Sequence, residues 1–84
     1  GMFARVHIPL GQRETVLAPA AAILARGQLT GVWLVDAQDR ARLRWIRTGR
    51  AQGDEVEVLS GLVGNETVVL TAEQPLAEGD RVVR

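Results

Sequence analysis

Residues 55–70 constrain the fold more than any other stretch, because they contain two strand patterns separated by a compact reversal. Val56 and Val58 alternate with glutamates, which places the valines on one face of a strand and the carboxylates on the other. Residues 67–70 form a second run of β-favouring side chains. Gly61 and Gly64, between the two runs, tolerate a positive φ. The stretch therefore predicts two strands joined by a reversal of the chain.

Leu62 lies between the two glycines of that reversal. A compact bend of this kind can fold an apolar side chain beneath itself instead of leaving it in water. We therefore expect the Leu62 side chain to be buried.

The pattern Val-Glu-Val-Leu-Ser-Gly-Leu-x-x-x-Glu-x-Val-Val, at residues 56–69, resembles the last segment of periplasmic adaptor proteins. These adaptors are the membrane fusion subunits of tripartite efflux pumps. Five further blocks follow the order of that family, and they are Gly1-Met2-Phe3-x-x-Val6, Val16-Leu17-x-Pro19-x-x-Ala22-Ile23, Val32-Trp33-Leu34-Val35-Asp36, Arg44-x-Ile46-x-x-Gly49 and Leu76-x-x-Gly79-Asp80-x-Val82. The chain has Gly64-Asn65 where the family has a glycine followed by an acid. This departure concerns only the charge of the turn.

The resemblance implies a non-catalytic piece of an adaptor from a resistance-nodulation-division (RND) efflux system. In such adaptors the carboxy-terminal, membrane-proximal domain docks on the inner-membrane transporter, and the complete protein reaches an outer-membrane channel. The implied location is the periplasm of a Gram-negative cell, with an inner-membrane anchor encoded upstream of this chain. ATP-driven pumps use adaptors of the same general type, so the class of transporter and the exported substrate stay open.

Short strand patterns and frequent turn residues predict an all-β chain with six or seven strands, folded as a small antiparallel β-barrel or β-roll. The predicted elements are a hairpin over residues 2–18, one helical turn within 20–25, strands at 32–35 and 41–48, a loop at 49–54 and a short terminal strand at 81–83. By the family resemblance, residues 1–19 are the terminal hairpin of a preceding β-barrel domain. Residues 20–84 are then the membrane-proximal β domain.

Composition leaves little material for catalysis or ligand binding. The chain has one serine, one histidine, no cysteine and no lysine, so we expect no catalytic site, no metal and no cofactor. Ser60 is interpreted as a turn hydroxyl and His7 as a surface histidine. The carboxylate pairs Asp36 with Asp39 and Asp54 with Glu55 are interpreted as turn caps instead of calcium ligands or acid–base pairs. A formal net charge of +0 argues against nucleic acid as a partner.

Five arginines within eleven residues form the most suggestive constellation, and they are Arg40, Arg42, Arg44, Arg47 and Arg50. In a strand, the first three share one face, opposite Leu43 and Trp45. They are either a docking surface for a partner protein or a solvated face paired with Glu55 and Glu57, each pair contributing about 0.2–1 kcal/mol. Both interpretations stay open here.

A small-molecule or carbohydrate-binding β-barrel is the alternative function, with tryptophans as stacking platforms, and an enzyme is a more distant one. Exposure of the tryptophans separates the two main hypotheses. A binding module needs an accessible ring in a concave pocket, whereas an adaptor fragment needs buried tryptophans. We expect Trp33, inside an unbroken apolar run, to lie in the core.

The chain is also expected to associate with itself. By the resemblance, the family's sheet takes a strand from the amino-terminal end of the adaptor, which this sequence does not contain. An unpaired sheet edge favours pairing with another chain. Pro19 and the residues up to Gly31 are the natural hinge for a swapped hairpin.

Overall fold

A computed structural model describes residues 3–8, 15–70 and 76–82. Nearly all of its regular structure is β. The elements are β1 (Phe3–Arg5), β2 (Val16–Pro19), a 3₁₀ helix (Ala20–Ala22), β3 (Leu24–Arg26), β4 (Leu29–Val35), β5 (Ala41–Gln52), β6 (Glu55–Ser60) and β7 (Thr67–Val69). The predictions of an all-β chain and of one short helical turn are confirmed.

The seven strands form one antiparallel sheet that nearly closes into a barrel. Its order is β1-β7-β4-β5-β6-β2, and β3 pairs with β4 outside this path. The two ends meet where His7 and Leu17 form an isolated bridge, with reciprocal backbone hydrogen bonds of 3.0 and 2.7 Å. Because these two bonds join the first and last strands of the path, the predicted small antiparallel barrel is confirmed.

The two segments of the predicted hairpin over residues 2–18 pair with each other at one bridge, between His7 and Leu17. Beyond the His7–Leu17 bridge, β1 pairs with β7 and β2 pairs with β6. The turn expected between them lies outside the described residues. Both segments contribute side chains to the main core, since Val6, Val16 and Ala18 are buried there. The proposed division of the chain at Pro19 stays a prediction.

The prediction of a loop at residues 49–54 is wrong, because β5 continues to Gln52. Its second half pairs with β6 through two register shifts, so ladder hydrogen bonds outweigh the weak strand propensity of Gly49. The side chain of Leu59 packs over Gly49, with its Cδ2 atom 3.1 Å from where a Cβ on that glycine would lie. The reversal is confined to residues 53 and 54, where Gly53 has a φ of 62°.

Strand β3 was not predicted. A tight turn at Gly27, with a φ of 63°, joins β3 to β4. Among the strands that the structure describes, β3 pairs only with β4, so its other edge has no strand partner within residues 3–8, 15–70 and 76–82. Self-association through an open edge therefore stays a prediction, and β3 is the strand that offers one.

Strand β4 is the centre of the molecule because it is buried on both faces, as its apolar sequence predicts. On one face, Val32 and Leu34 belong to the main core, inside the barrel. On the other face, Trp33 and Val35 belong to a second cluster. The main core also contains Val6, Val16, Ala18, Ala22, Ile46, Val58, Leu62 and Val68. The second cluster contains Ala41 and Val69, and is flanked by Phe3, Leu24, Leu43, Leu76 and Val82.

The described carboxy-terminal segment, residues 76–82, is tied to the start of β5 by main-chain hydrogen bonds. The Ala41 N–H donates to the Asp80 carbonyl at 2.7 Å, and the Val82 N–H donates to the Asp39 carbonyl at 2.7 Å. Of the predicted strand at 81–83, the described part forms a single bridge between Arg40 and Arg81. This segment covers the outer face of the sheet beside Val35 and Ala41.

Candidate docking surface

Strand β5 carries most of the candidate site, and its two halves have different neighbours. Residues up to Ile46 pair with β4, whereas residues from Arg47 onward pair with β6. The register sets Arg42 opposite Leu34 and Arg44 opposite Val32, while Trp45 lies opposite Gly31 on the other face. The predicted separation from Leu43 and Trp45 is confirmed for Arg42 and Arg44, whereas Arg47 lies on the face of Trp45.

We name the five arginines of the sequence pattern the arginine stripe, and they are Arg40, Arg42, Arg44, Arg47 and Arg50. The first two form bonds within the chain. Arg40 donates from Nη1 to the Gly79 carbonyl at 3.0 Å. Arg42 donates from Nε to Asp36 Oδ2 at 2.9 Å, and its Nη1 lies 3.8 Å from Glu78 Oε1. Because charge-assisted bonds hold them at the end of the barrel, Arg40 and Arg42 contribute to local structure.

Asp36 caps the turn between β4 and β5, as the sequence predicts. Its Oδ1 accepts the backbone N–H groups of Gln38 and Arg40, each at 2.9 Å. The bond from the Arg40 amide, followed by the side chain of Arg42, lowers the pKa of the Asp36 carboxyl below its ordinary value. Asp39 completes the turn in the left-handed region, with a φ of 58°.

Glu55 and Glu57 on β6 do not pair with the arginine stripe as one of the two interpretations of the sequence required. The half of β5 that carries Arg42 pairs with β4, which takes its guanidinium away from β6. Glu55 instead contacts His7, with 2.7 Å between Oε2 and Nε2. Glu57 Oε1 accepts the backbone N–H of Arg50 at 3.0 Å, at the register shift of β5. The prediction failed because strand pairing decides which charges are neighbours.

The remaining three arginines are exposed and less engaged. Arg44 donates from Nη1 to the Gly61 carbonyl at 3.0 Å. Within the described part of the chain, the guanidinium groups of Arg47 and Arg50 form no hydrogen bond or ion pair with another side chain. Their charges are therefore available to a partner, which is not the case for Arg42.

The two tryptophans differ in exposure. Trp33 is 3% exposed, which confirms its predicted place in the core, and the Arg26 guanidinium lies 5.9 Å from its ring centroid. Trp45 is 43% exposed. Its benzene ring covers Gly31, with Cε3 only 3.0 Å from where a Cβ on that glycine would lie. The expectation of buried tryptophans in an adaptor is thus met by Trp33 and not by Trp45.

Comparison with known families decides what kind of domain carries this surface. A family model described as RND MFPs, C-terminal permuted SH3 domain, matches residues 14–75, well over half of the chain. The chain belongs to the RND membrane fusion proteins. The adaptor resemblance of the sequence is thereby confirmed, and this family is one of non-catalytic efflux adaptors. No curated protein matches the sequence.

The reversal between β6 and β7 of this membrane fusion protein domain is built around two glycines and one carboxylate. Gly61 and Gly64 have φ values of 105° and 116°. Glu66 Oε2 accepts the Val63 N–H at 2.7 Å, and its Oε1 accepts the N–H groups of Gly64 and Asn65 at 2.9 and 3.2 Å. Sequence reasoning looked for an acid at position 65 and missed that the next residue supplies it.

The same geometry sets the ionisation of Glu66. Burial opposes the charged form, but the backbone N–H groups together outweigh it, so the pKa of Glu66 is lowered from its ordinary value of 4.5. Because the folded-state pKa lies below the unfolded-state value, the stabilisation is fully present above about pH 4.5. It is lost as the pH falls through the folded-state pKa.

Replacing Glu66 by glutamine is expected to lower the free energy of unfolding by about 1–3 kcal/mol at neutral pH. In glutamine an NH₂ group, which is a donor, replaces one of the two carboxylate oxygens that accept the backbone N–H groups. At least one of those N–H groups then has no acceptor. Urea unfolding across a pH series measures the effect. The difference between the parent and the variant should narrow as the pH falls below about 4.5, because Glu66 is then protonated first in the unfolded chain and, at lower pH, in the folded one. A difference that stays constant over the whole series would contradict the role of the charge.

The other residues considered for chemistry have structural or surface positions. Ser60 is exposed at the end of β6. His7 has Glu55 as its side-chain partner, and no group of three potential metal-ligating residues occurs among the described residues. No helix within residues 3–8, 15–70 and 76–82 is long and apolar enough to cross a membrane.

Proposed function

We propose that this domain docks on the inner-membrane transporter of an RND efflux system and helps couple that transporter to an outer-membrane channel. It acts from the periplasm, as part of an adaptor anchored to the inner membrane. The observation that carries the proposal is the pair of unengaged guanidinium groups, Arg47 and Arg50, on β5 of an RND membrane fusion protein domain.

The proposed docking surface comprises arginines that the sequence indicates, but they lie on both faces of β5, with Arg42 and Arg44 on one and Arg47 on the other, and they do not contribute equally. A guanidinium already bonded within the chain must lose those bonds before it can bind a partner, whereas an unengaged one loses only water. Arg47 and Arg50 should therefore contribute most, and Arg44, with one bond to a carbonyl, should contribute less. Arg40 and Arg42 should contribute least.

Binding to the purified transporter in phosphatidylcholine nanodiscs tests the proposal. We expect saturable binding that weakens as salt is added, because exposed charges are screened. The double substitution Arg47→Glu with Arg50→Glu should weaken binding by about tenfold or more. Arg47→Glu alone should also weaken binding, and Arg5→Glu is its charge-matched control, since Arg5 is exposed on β1, away from β5.

Two results would count against the proposal. Lack of saturable binding by the parent chain would remove the docking role itself. Equal loss of affinity in the Arg47→Glu variant and in the Arg5→Glu control would show only a general effect of charge, and would remove the arginine stripe as the docking surface. Melting curves of each variant exclude unfolding as the cause of lost binding.

A further inference from the structure

The outer face of β4, β5 and β6 exposes a row of large apolar side chains. Leu29, Trp45 and Leu59 are 53%, 43% and 62% exposed, and we name these three residues the outer stripe. Trp45 lies opposite Gly31 in the register of β4 and β5, so it shares a face with Leu29. Leu59 continues the row by packing over Gly49 of β5.

Two arginines border the outer stripe. Arg47 follows Trp45 by two residues on the same strand, which places both on one face. Arg26 lies opposite Leu29 in the hairpin of β3 and β4, and its guanidinium lies over Trp33. Neither arginine forms an ion pair with a carboxylate of the described residues. The Glu57 carboxylate also lies on this face beside Leu59, with Oε1 3.3 Å from where a Cβ on Gly49 would lie, and it accepts the Arg50 N–H. The stripe is therefore an apolar surface bordered by two arginines that have no ion-pair partner in the described chain and, at Leu59, by one carboxylate that is bonded to the backbone.

We propose that the outer stripe is the contact surface for an acidic segment of the partner protein. An apolar side chain of that segment packs on Trp45, and its carboxylates bind Arg47 and Arg26. The inference rests on the proposed function, which supplies the transporter as partner. The inference adds that the contact is both apolar and charged, and it places Trp45 instead of the arginines at the centre of the contact surface.

The geometry of Trp45 suits a contact of this kind. The benzene ring of the indole lies against Gly31, with Cε3 and Cζ3 at 3.0 and 3.3 Å from where a Cβ would lie, and 43% of Trp45 stays exposed. A side chain that is already ordered loses little conformational entropy on binding. Tryptophan and arginine are also the residues most enriched among those that dominate interface affinity.

A lipid surface fits the stripe less well than a protein does. Membrane-surface segments insert apolar side chains about 5–10 Å into the bilayer interface, whereas part of the Trp45 ring is held against Gly31 of the sheet. Binding to anionic lipid also takes clusters of about 4–8 basic residues, whereas two border this stripe. A neutral sugar also fits the stripe less well than an acidic segment, because it brings no charge to pair with the two arginines.

A second copy of this chain is also a poor occupant. In a two-fold symmetric contact the same patch meets itself, so Arg47 and Arg26 would lie against a patch that carries the same two positive charges. Juxtaposed like charges disfavour such a contact. An acidic partner instead supplies the charges that the stripe does not have.

The test measures binding of the chain to the purified transporter in phosphatidylcholine nanodiscs. Trp45→Ala and Leu29→Ser are each expected to weaken binding by about tenfold or more, a loss in the range of dominant interface residues. Val63→Ser is the matched control, because Val63 is 72% exposed and lies outside the stripe. Its affinity should stay within about twofold of the parent.

Each contrary result overturns a defined part of the proposal. Parent-like binding of the Trp45→Ala and Leu29→Ser variants would overturn the outer stripe and leave the arginine docking surface in place. No binding by the parent chain would overturn both. Binding to vesicles with one-third phosphatidylglycerol, lost on Trp45→Ala, would assign the stripe to lipid. A dimer in analytical ultracentrifugation that Trp45→Ala dissociates would assign it to self-association.

Discussion

Replacing Leu62 by alanine is expected to lower the free energy of unfolding by about 2–5 kcal/mol. The Leu62 side chain is 8% exposed and packs in the main core with Ile46, Val58 and Val68. Truncation removes apolar contacts and leaves a cavity that the reversal between β6 and β7 cannot readily close. A domain of this size has a total stability of only about 5–15 kcal/mol.

The neighbouring residue provides a close control for Leu62→Ala. Val63 is 72% exposed in the same turn, so Val63→Ala should change stability by less than about 0.5 kcal/mol. Thermal and urea unfolding of the two variants measure the difference. If both variants melted within a degree or two of the parent, the burial of Leu62 would be refuted. The family membership would not be affected.

Replacing Gly61 by alanine is expected to destabilise the domain by a comparable amount, for a different physical reason. The φ of Gly61 is 105°, which L-amino acids rarely adopt and which costs about 1–3 kcal/mol to impose on them. A Cβ there would also lie 2.8 Å from Ile46 Cγ2 and 2.9 Å from the Trp45 carbonyl oxygen. Since the carbonyl belongs to a paired strand, it cannot move aside, and overpacking adds about 1–3 kcal/mol.

Gly53→Ala separates these two contributions. Gly53 also has a positive φ, of 62°, but nothing lies within 4 Å of the position of an added Cβ. Its replacement should therefore cost only the conformational strain, about 1–2 kcal/mol. Equal destabilisation by Gly53→Ala and Gly61→Ala would show that the close contact with Ile46 contributes nothing.

Local sequence patterns predicted those parts of the fold in which neighbouring residues determine the result. The alternation at Val56 and Val58 gave strand β6, and the apolar run at residues 32–35 gave a strand buried on both faces. The glycines at 61 and 64 gave the reversal and the buried Leu62. In each case the pattern specifies a backbone conformation or a buried face without reference to distant residues.

Strand lengths and pairings depended on partners that are not neighbours in sequence. Gly49 is a poor strand residue by itself, yet β5 passes through it because β6 supplies both hydrogen bonds and the side chain of Leu59. Strand β3 forms for a similar reason, since β4 pairs with it. Propensity alone ended β5 too early and missed β3, because strand preference depends largely on tertiary context.

The sequence by itself determined that this is a small antiparallel β-barrel with an arginine-rich strand. It could not tell which arginines are free, because Glu78, distant in sequence, lies near Arg42 and not near Arg47. It placed Trp33 in the core, but it could not tell that Trp45 is exposed. Trp33 is covered because Phe3, Leu76 and Val82, from opposite ends of the chain, pack on its side of the sheet, whereas Trp45 lies beyond that cluster. Exposure depends on what else packs on a face, and only the tertiary structure decides this.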